Sequence, residues 1–311
     1  MSLYAPPKDL PTEIFTTMPA HFRKDGQEAQ WVTANRPGET LDCFLEGPGF
    51  DKDGNLLVVD IPFGRIFSIS PDGEWSLVIE YDGWPNGMRQ LDDGTALITD
   101  YKNGLMLLDV KAGTIQPFLT HRITESFIGV NDLIVDRQGL VYFTDQGQTG
   151  MHDPTGRVYR YDPASKRLDR LLSNGPSPNG IALNPEEKAL YVAMTRGNAV
   201  WRVPLMADGS VAKAGIFVQM AGGVAGADGI AVDSEGRLLA CDVGNGCVWV
   251  FTKFGEPVWR VKACIEGRAT TNLCFGGPEN KSLFITESSS GTILRAEMDV
   301  SGLPLNGKLA G

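Results

Sequence analysis

A short pattern of polar and apolar positions recurs along the chain. It runs as a polar residue, an apolar stretch, an Asp/Gly turn and a second apolar stretch ending in Asp. Its clearest copy is Asn131-Asp132-Leu133-Ile134-Val135-Asp136-Arg137-Gln138-Gly139-Leu140-Val141-Tyr142-Phe143-Thr144-Asp145. Other copies lead off at Glu46, Asn86, Asn179, Asp228 and Asn272, spaced by 40, 45, 48, 49 and 44 residues. A Gly stands eight residues after Glu46, Asn86, Asn131 and Asp228, and an Asp stands fourteen after the same four: Asp60, Asp100, Asp145 and Asp242. Short apolar runs bounded by Gly, Pro and Asp predict strands. A period of about 40–50 residues with room for four strands predicts a propeller. The expected fold is therefore all-β: a six-bladed β-propeller of four antiparallel strands per blade, one domain over residues 1–311, with blades starting near 44, 86, 129, 178, 227 and 271. The last repeat lacks an outer strand. An N-terminal strand within the arm at residues 1–40 is expected to close the ring, with Gln30-Trp31-Val32-Thr33-Ala34 as the candidate.

The turn between the two apolar runs sends the second strand back antiparallel. Lead residues and their +14 partners thus share one face with two longer connections, residues 120–128 and 146–156, where specificity is expected to sit. Six lead residues around one axis supply only oxygen donors: Glu46, Asn86, Asn131, Asn179, Asp228 and Asn272. Such a set suits a hard cation, Ca²⁺ first, with Mg²⁺ or Mn²⁺ acceptable and Zn²⁺ less suited because it prefers nitrogen and sulfur. The bland alternative is a hydrogen-bonded plug of the channel, with Asn-Gly pairs acting as turn formers. Asp60, Asp100, Asp145 and Asp242 are expected at strand ends, behind the lead residues.

Composition narrows the function classes. A net charge of -10 argues against a nucleic-acid partner. The apolar runs are short, so no membrane span is expected, and the start (Met1-Ser2-Leu3-Tyr4-Ala5) lacks a signal-peptide pattern. Five cysteines without a C-x-x-C pair suit free thiols in a reducing, cytoplasmic setting. No G-x-S-x-G or H-E-x-x-H motif is present, and the three histidines exclude a His-rich site; His152 is expected as a solvated loop residue.

The ordered set Glu46-Gly47-Pro48, Asn131-Asp132, Ser177-Pro178-Asn179-Gly180, Asp228-Gly229 and Thr270-Thr271-Asn272-Leu273-Cys274-Phe275-Gly276-Gly277 resembles the gluconolactonase / senescence marker protein family, the regucalcin-like lactonases. The resemblance spans about residues 41–298. It implies a six-bladed propeller with one catalytic divalent cation (Ca²⁺, or Mg²⁺, Mn²⁺ or Zn²⁺) held by Glu46, Asn131, Asn179 and Asp228. It also implies hydrolysis of small-molecule lactones. In that mechanism Asp228 is the first candidate for the base that takes a proton from water, with Asp132 and Asp145 in reserve, and Asn86, Asn131 and Asp145 face the substrate. The expected assembly is a monomer or weak homodimer. Sugar-lactone members often carry Arg two residues before the third lead; here Gly129 stands there, and Phe63, Trp84, Tyr101, Phe127 and Met151 suggest a less polar pocket. Two alternatives remain: a phosphotriesterase-type hydrolase on the same metal site, as in related paraoxonase and diisopropyl-fluorophosphatase propellers, and a non-catalytic calcium-binding propeller.

Overall fold

The structure, a computed structural model, describes residues 4–305 and 307–311, so the first three residues of the start read for a signal peptide lie outside the described residues. Among the described residues, six antiparallel sheets each run outward from an innermost strand: Leu45–Phe50, Pro85–Gln90, Val130–Val135, Pro178–Leu183, Gly226–Val232 and Thr270–Gly276. Each innermost strand packs on the next, and the sixth packs back on the first, which closes a ring around one axis. The second strands, such as Leu56–Asp60, Val141–Asp145 and Ala189–Met194, are buried along their whole length. They are covered on both faces by neighbouring blades, so their sequences are continuous apolar runs rather than alternating ones. The core lies between blades. Leu57, Val59 and Ile66 meet Ile98, Met106 and Leu108 between the first and second, and Val58 and Phe67 meet Phe284 and Ile293 where the sixth meets the first.

The ring is closed by an N-terminal strand, but from a different segment than expected. Glu13–Thr17 pairs antiparallel with Thr292–Glu297 and completes the sixth blade, while Lys8–Pro11 adds a parallel fifth strand to the fifth. Residues Gln30–Asn35 form a short helix instead. Trp31 and Val32 are adjacent and both buried, and a strand would send one of them to the opposite face. The helix brings Trp31 and Asn35 to one side, with the Trp31 ring 4.9 Å from that of Phe44.

Every innermost strand bulges at its lead residue. Pro85 pairs with Asp100 and Met88 with Ile98, so three steps on one strand match two on the other, and the other five blades carry the same single extra residue. A bulge bends the strand and re-aims a side chain. The Gly after the lead residue has a different reason from a turn: a Cβ at Gly180 would lie 2.4 Å from the Asp228 carbonyl oxygen of the next blade. These glycines let adjacent inner strands approach closely.

Candidate metal centre and active site

The bulges deliver the lead residues to the floor of an upper cavity of 520 Å³. Glu46, Asn86, Asn131, Asn179 and Asp228 line it, each buried to within 9% exposure. Asn272 lies beneath, donating from Nδ2 to Glu46 Oε2 at 2.8 Å, while the Gly47 amide donates to the same oxygen at 2.9 Å. Asn131 donates from Nδ2 to Gln146 Oε1 at 3.0 Å, which leaves its carboxamide oxygen for the cavity. The Asn179 side chain favours the charged form of Asp228, against the effect of burial. The lead carbonyls are fixed from the preceding blade: Thr99 Oγ1 donates to the Asn131 carbonyl, and Thr144 Oγ1 to that of Asn179 at 2.8 Å.

The electrostatics point one way. Burial raises both Glu46 and Asp228 above the ordinary carboxylate range; each also feels Asp132, and Asp228 feels Glu46. Arg196, exposed at the rim, opposes this only in part. Converging carboxylates with carboxamide oxygens between them fit a hard divalent cation, which would relieve the repulsion. Among the described residues no three His, Cys, Asp or Glu side chains gather as a cluster. A cation here would therefore draw on the carboxamide oxygens.

Two sequence-selected carboxylates lie elsewhere. Asp132 lines a second cavity on the far side of the ring, where it accepts from the Leu133 amide at 2.8 Å; burial pushes it up to about 6. Asp145 is fully buried behind the floor, accepting from the Gly129 amide at 2.9 Å with Arg157 at 3.8 Å. Asp60, Asp100 and Glu287 receive the equivalent amides of Phe44, Trp84 and Ala269, so in the first, second, third and sixth blades the carboxylate at the end of the second strand clamps the loop that precedes the lead.

The walls were less legible. Trp31, Asn35 and Arg36 come from the N-terminal helix, and Gln146, Gln148, Thr149, Met151 and His152 from the long loop after Asp145. Gln148 Nε2 donates to Asn35 Oδ1 and to the Tyr101 hydroxyl, each at 3.0 Å, tying the two segments together. Tyr101 and Met151 face the cavity as expected of apolar loop residues. Phe127 instead packs 5.2 Å from Phe143, and Phe63 and Trp84 pack between blades. His152 is exposed at the cavity edge. At Gly129, with φ 143°, a Cβ would lie 2.5 Å from the Tyr101 ring, so tyrosine fills the space a side chain at 129 would need.

The family model described as SMP-30/Gluconolactonase/LRE-like region matches residues 44–289, from the first inner strand to the end of the sixth blade's second strand. The chain belongs to this family. Within the SMP-30/gluconolactonase/LRE-like family it is similar to lactonase drp35 of Staphylococcus aureus strain MRSA252, 30% identical over 74% of this chain and 72% of that protein. A Staphylococcus epidermidis lactonase drp35 is 31% identical over 75% and 74%. Among solved structures, the calcium-binding protein regucalcin of Agrobacterium tumefaciens C58 superposes with TM-score 0.75 at 20% identity over 98% of this chain and 99% of that one. A gluconolactonase of Xanthomonas campestris gives TM-score 0.71 at 21% identity, covering 90% and 98%. At these identities the two structures speak for the six-bladed fold.

Proposed function

We propose that the protein is a metal-dependent lactonase, opening small lactones to hydroxycarboxylates in the upper cavity. The observation that carries this is the convergence of Glu46 and Asp228 with Asn86, Asn131 and Asn179 at the cavity floor, in a chain related to proteins named lactonase. A divalent cation, Ca²⁺ first, with Mg²⁺, Mn²⁺ or Zn²⁺ as the other candidates, would be held by Glu46, Asn131, Asn179 and Asp228, and bound there would supply Lewis-acid polarisation of the lactone carbonyl. Asn86 and Asn131 orient the substrate oxygens. Asp228 takes the proton of the attacking water as its oxygen adds to the carbonyl carbon. The ring C–O bond then breaks, and Asp228 returns that proton to the leaving alkoxide, so one water is consumed per ring opened. Trp31, Phe44, Ile61 and Met151 line the walls beside Tyr101 and exclude water around the substrate. Asp132 and Asp145 stay out of the proton path because neither lines this cavity.

Free cysteines support a reducing compartment: all five are unpaired, four of them buried. Among the described residues no helix is long and apolar enough to cross a membrane. We take the enzyme as cytoplasmic, acting as a monomer or weak homodimer.

The test is hydrolysis of a panel of aldonolactones, aliphatic γ- and δ-lactones, aryl esters and a phosphotriester, before and after chelation and with each cation restored. Chelator-sensitive opening of a lactone is expected. Asp228→Asn should abolish turnover while the circular dichroism spectrum is retained; substantial residual rate removes Asp228 from the proton transfer. Phosphotriester cleavage without lactone opening would replace the reading, and metal binding without any turnover would make the propeller a binding protein.

A further inference from the structure

The polar ring divides the channel, and the part below it is a cavity in its own right. It measures 350 Å³, and its walls are the continuations of the same inner strands: Ile134, Ile181, Leu183, Ile230, Val232 and Phe275. Its lower mouth is crossed by the C-terminal tail. Leu303 bonds through its amide to the Val232 carbonyl in the fifth blade, the Gly307 carbonyl accepts from Asp92 in the second, and the Ala310 amide donates to Gly139 in the third. A strap that starts on the fifth blade and lands on the second and third spans the axis. It puts Leu303 and Leu305 into the cavity wall. At Gly139 a Cβ would lie 2.0 Å from the Ala310 nitrogen, so that glycine is what lets the strap seat.

Between these aliphatic walls one cation is unmatched. Arg89 points into it from the second blade, and its Nε is buried with no hydrogen-bond partner among the described residues. Its nearest carboxylate, Asp132, acts on it only through space: no ion pair joins them, and Asp132 spends an oxygen on the Leu133 amide. The other charges sit at the mouth, where Lys52 and Asp92 are exposed to solvent. Arg137 and Glu187 face each other at 3.6 Å on the rim, and Asp51 accepts from Asp53 and Asn55 in its own turn. A guanidinium nitrogen buried without a partner is costly, and the group's planar fork matches a carboxylate. At about 30 Å³ per water-sized group, the cavity has room for about a dozen heavy atoms.

We propose that the lower cavity binds a medium-chain aliphatic monocarboxylate, its carboxylate held by Arg89 and its chain lying between the aliphatic inner strands and the C-terminal strap. Polar head, apolar walls and volume all come from residues that the reaction in the upper cavity does not use. Burial draws Arg89 down to about 10, a direction that a carboxylate in contact would reverse.

The test is calorimetric titration of the metal-loaded protein with decanoate, with decan-1-ol as the uncharged probe, on wild type, Arg89→Met and Arg89→Lys. Decanoate should bind one per chain, about tenfold or more weakly in Arg89→Met, with Arg89→Lys in between because it keeps the charge and loses the fork; decan-1-ol should bind wild type and Arg89→Met alike. A crystal structure of wild type grown with decanoate needs no variant and locates the ligand even if Arg89→Met does not fold. Density for the carboxylate against Arg89 supports the site. No binding at millimolar decanoate, equal affinity in Arg89→Met, or density only in the upper cavity overturns it.

Discussion

The sharpest structural prediction concerns Gly129, where the family resemblance led us to expect an arginine. Replace it with alanine. Two separate costs arise. The backbone at φ 143° is one that side-chain-bearing residues rarely adopt, worth about 1–3 kcal/mol. The added Cβ meets the Tyr101 ring at 2.5 Å, and the ring cannot simply swing away because its hydroxyl is bonded to Gln148 at 3.0 Å and its face lies 5.9 Å from Trp84. Overpacking of this kind costs about 1–3 kcal/mol. Gly129→Ala should therefore lose about 2–6 kcal/mol of unfolding free energy, read from urea midpoints at constant m-value. A double-mutant cycle separates the terms. In a Tyr101→Ala background the steric part vanishes and the backbone part stays, so the two substitutions should couple by about 1–3 kcal/mol in the compensating direction. A Gly129→Ala protein within 0.5 kcal/mol of wild type, or additive effects in the cycle, would refute the account of why the pocket has tyrosine where an arginine is expected.

Other perturbations have equally definite outcomes. Placing Gly129→Arg in the Tyr101→Ala background should raise kcat/KM for aldonolactones relative to aliphatic lactones, and an unchanged ratio would show that the residue does not set specificity. Arg65 is 2% exposed and forms its ion pair with the fully buried Asp60. Arg65→Ala should cost about 3–5 kcal/mol by leaving that carboxylate unpaired, and Arg65→Ala with Asp60→Asn should cost less, both read by urea unfolding. Burial pushes Asp145 up to about 6 despite the Gly129 amide and Arg157. The folded state then holds a proton that the unfolded chain, with a pKa of about 3.9, releases. Its contribution to stability is full below about pH 4 and falls by roughly 2–3 kcal/mol as the pH rises through 6. Asp145→Asn should flatten that part of the stability-against-pH curve, and a curve unchanged between pH 4 and 7 would contradict the shift.

How much of this was readable in advance depends on whether a feature repeats. The blade count, the blade starts and the antiparallel order follow from a spacing that recurs in six copies, and the lead residues were visible because each copy places a polar residue before an apolar run. The bulges were not visible as such. The glycine behind the lead residue records them, but it looks like a turn signal until the next blade's backbone is seen close beside it. Thr99 and Thr144 were missed, although each directly precedes a +14 Asp and so had a positional signature. The N-terminal segment had no repeat to compare with. Glu13–Thr17 and Gln30–Asn35 are both short, weakly patterned stretches, and only the unpaired edge of the sixth blade decides which one becomes the strand. The wall formed by Trp31, Asn35 and the loop holding Gln148 is likewise a long-range contact with no local signal.

Where the repeat breaks is where the two ends of the channel become different. After the lead residue, blades one, two, four and five have Gly47, Gly87, Gly180 and Gly229; the third has Asp132. Its carboxylate fits because the neighbour is Gly87, whose absent Cβ would have met Asp132 Oδ1 at 2.4 Å. From there Asp132 acts electrostatically in both directions. It pushes Glu46 and Asp228 further above the carboxylate range on the upper side, and it holds Arg89 charged on the lower. Removing only the charge, by Asp132→Asn, separates the two effects. Repulsion within the upper ring falls, so the need for a neutralising cation falls with it, and metal affinity should drop. Arg89 loses its nearest counter-charge, so affinity for an anion in the lower cavity should rise. Opposite changes at the two sites are required by a single charge shared across the ring. Parallel changes, or none, would mean that the two cavities are electrostatically independent.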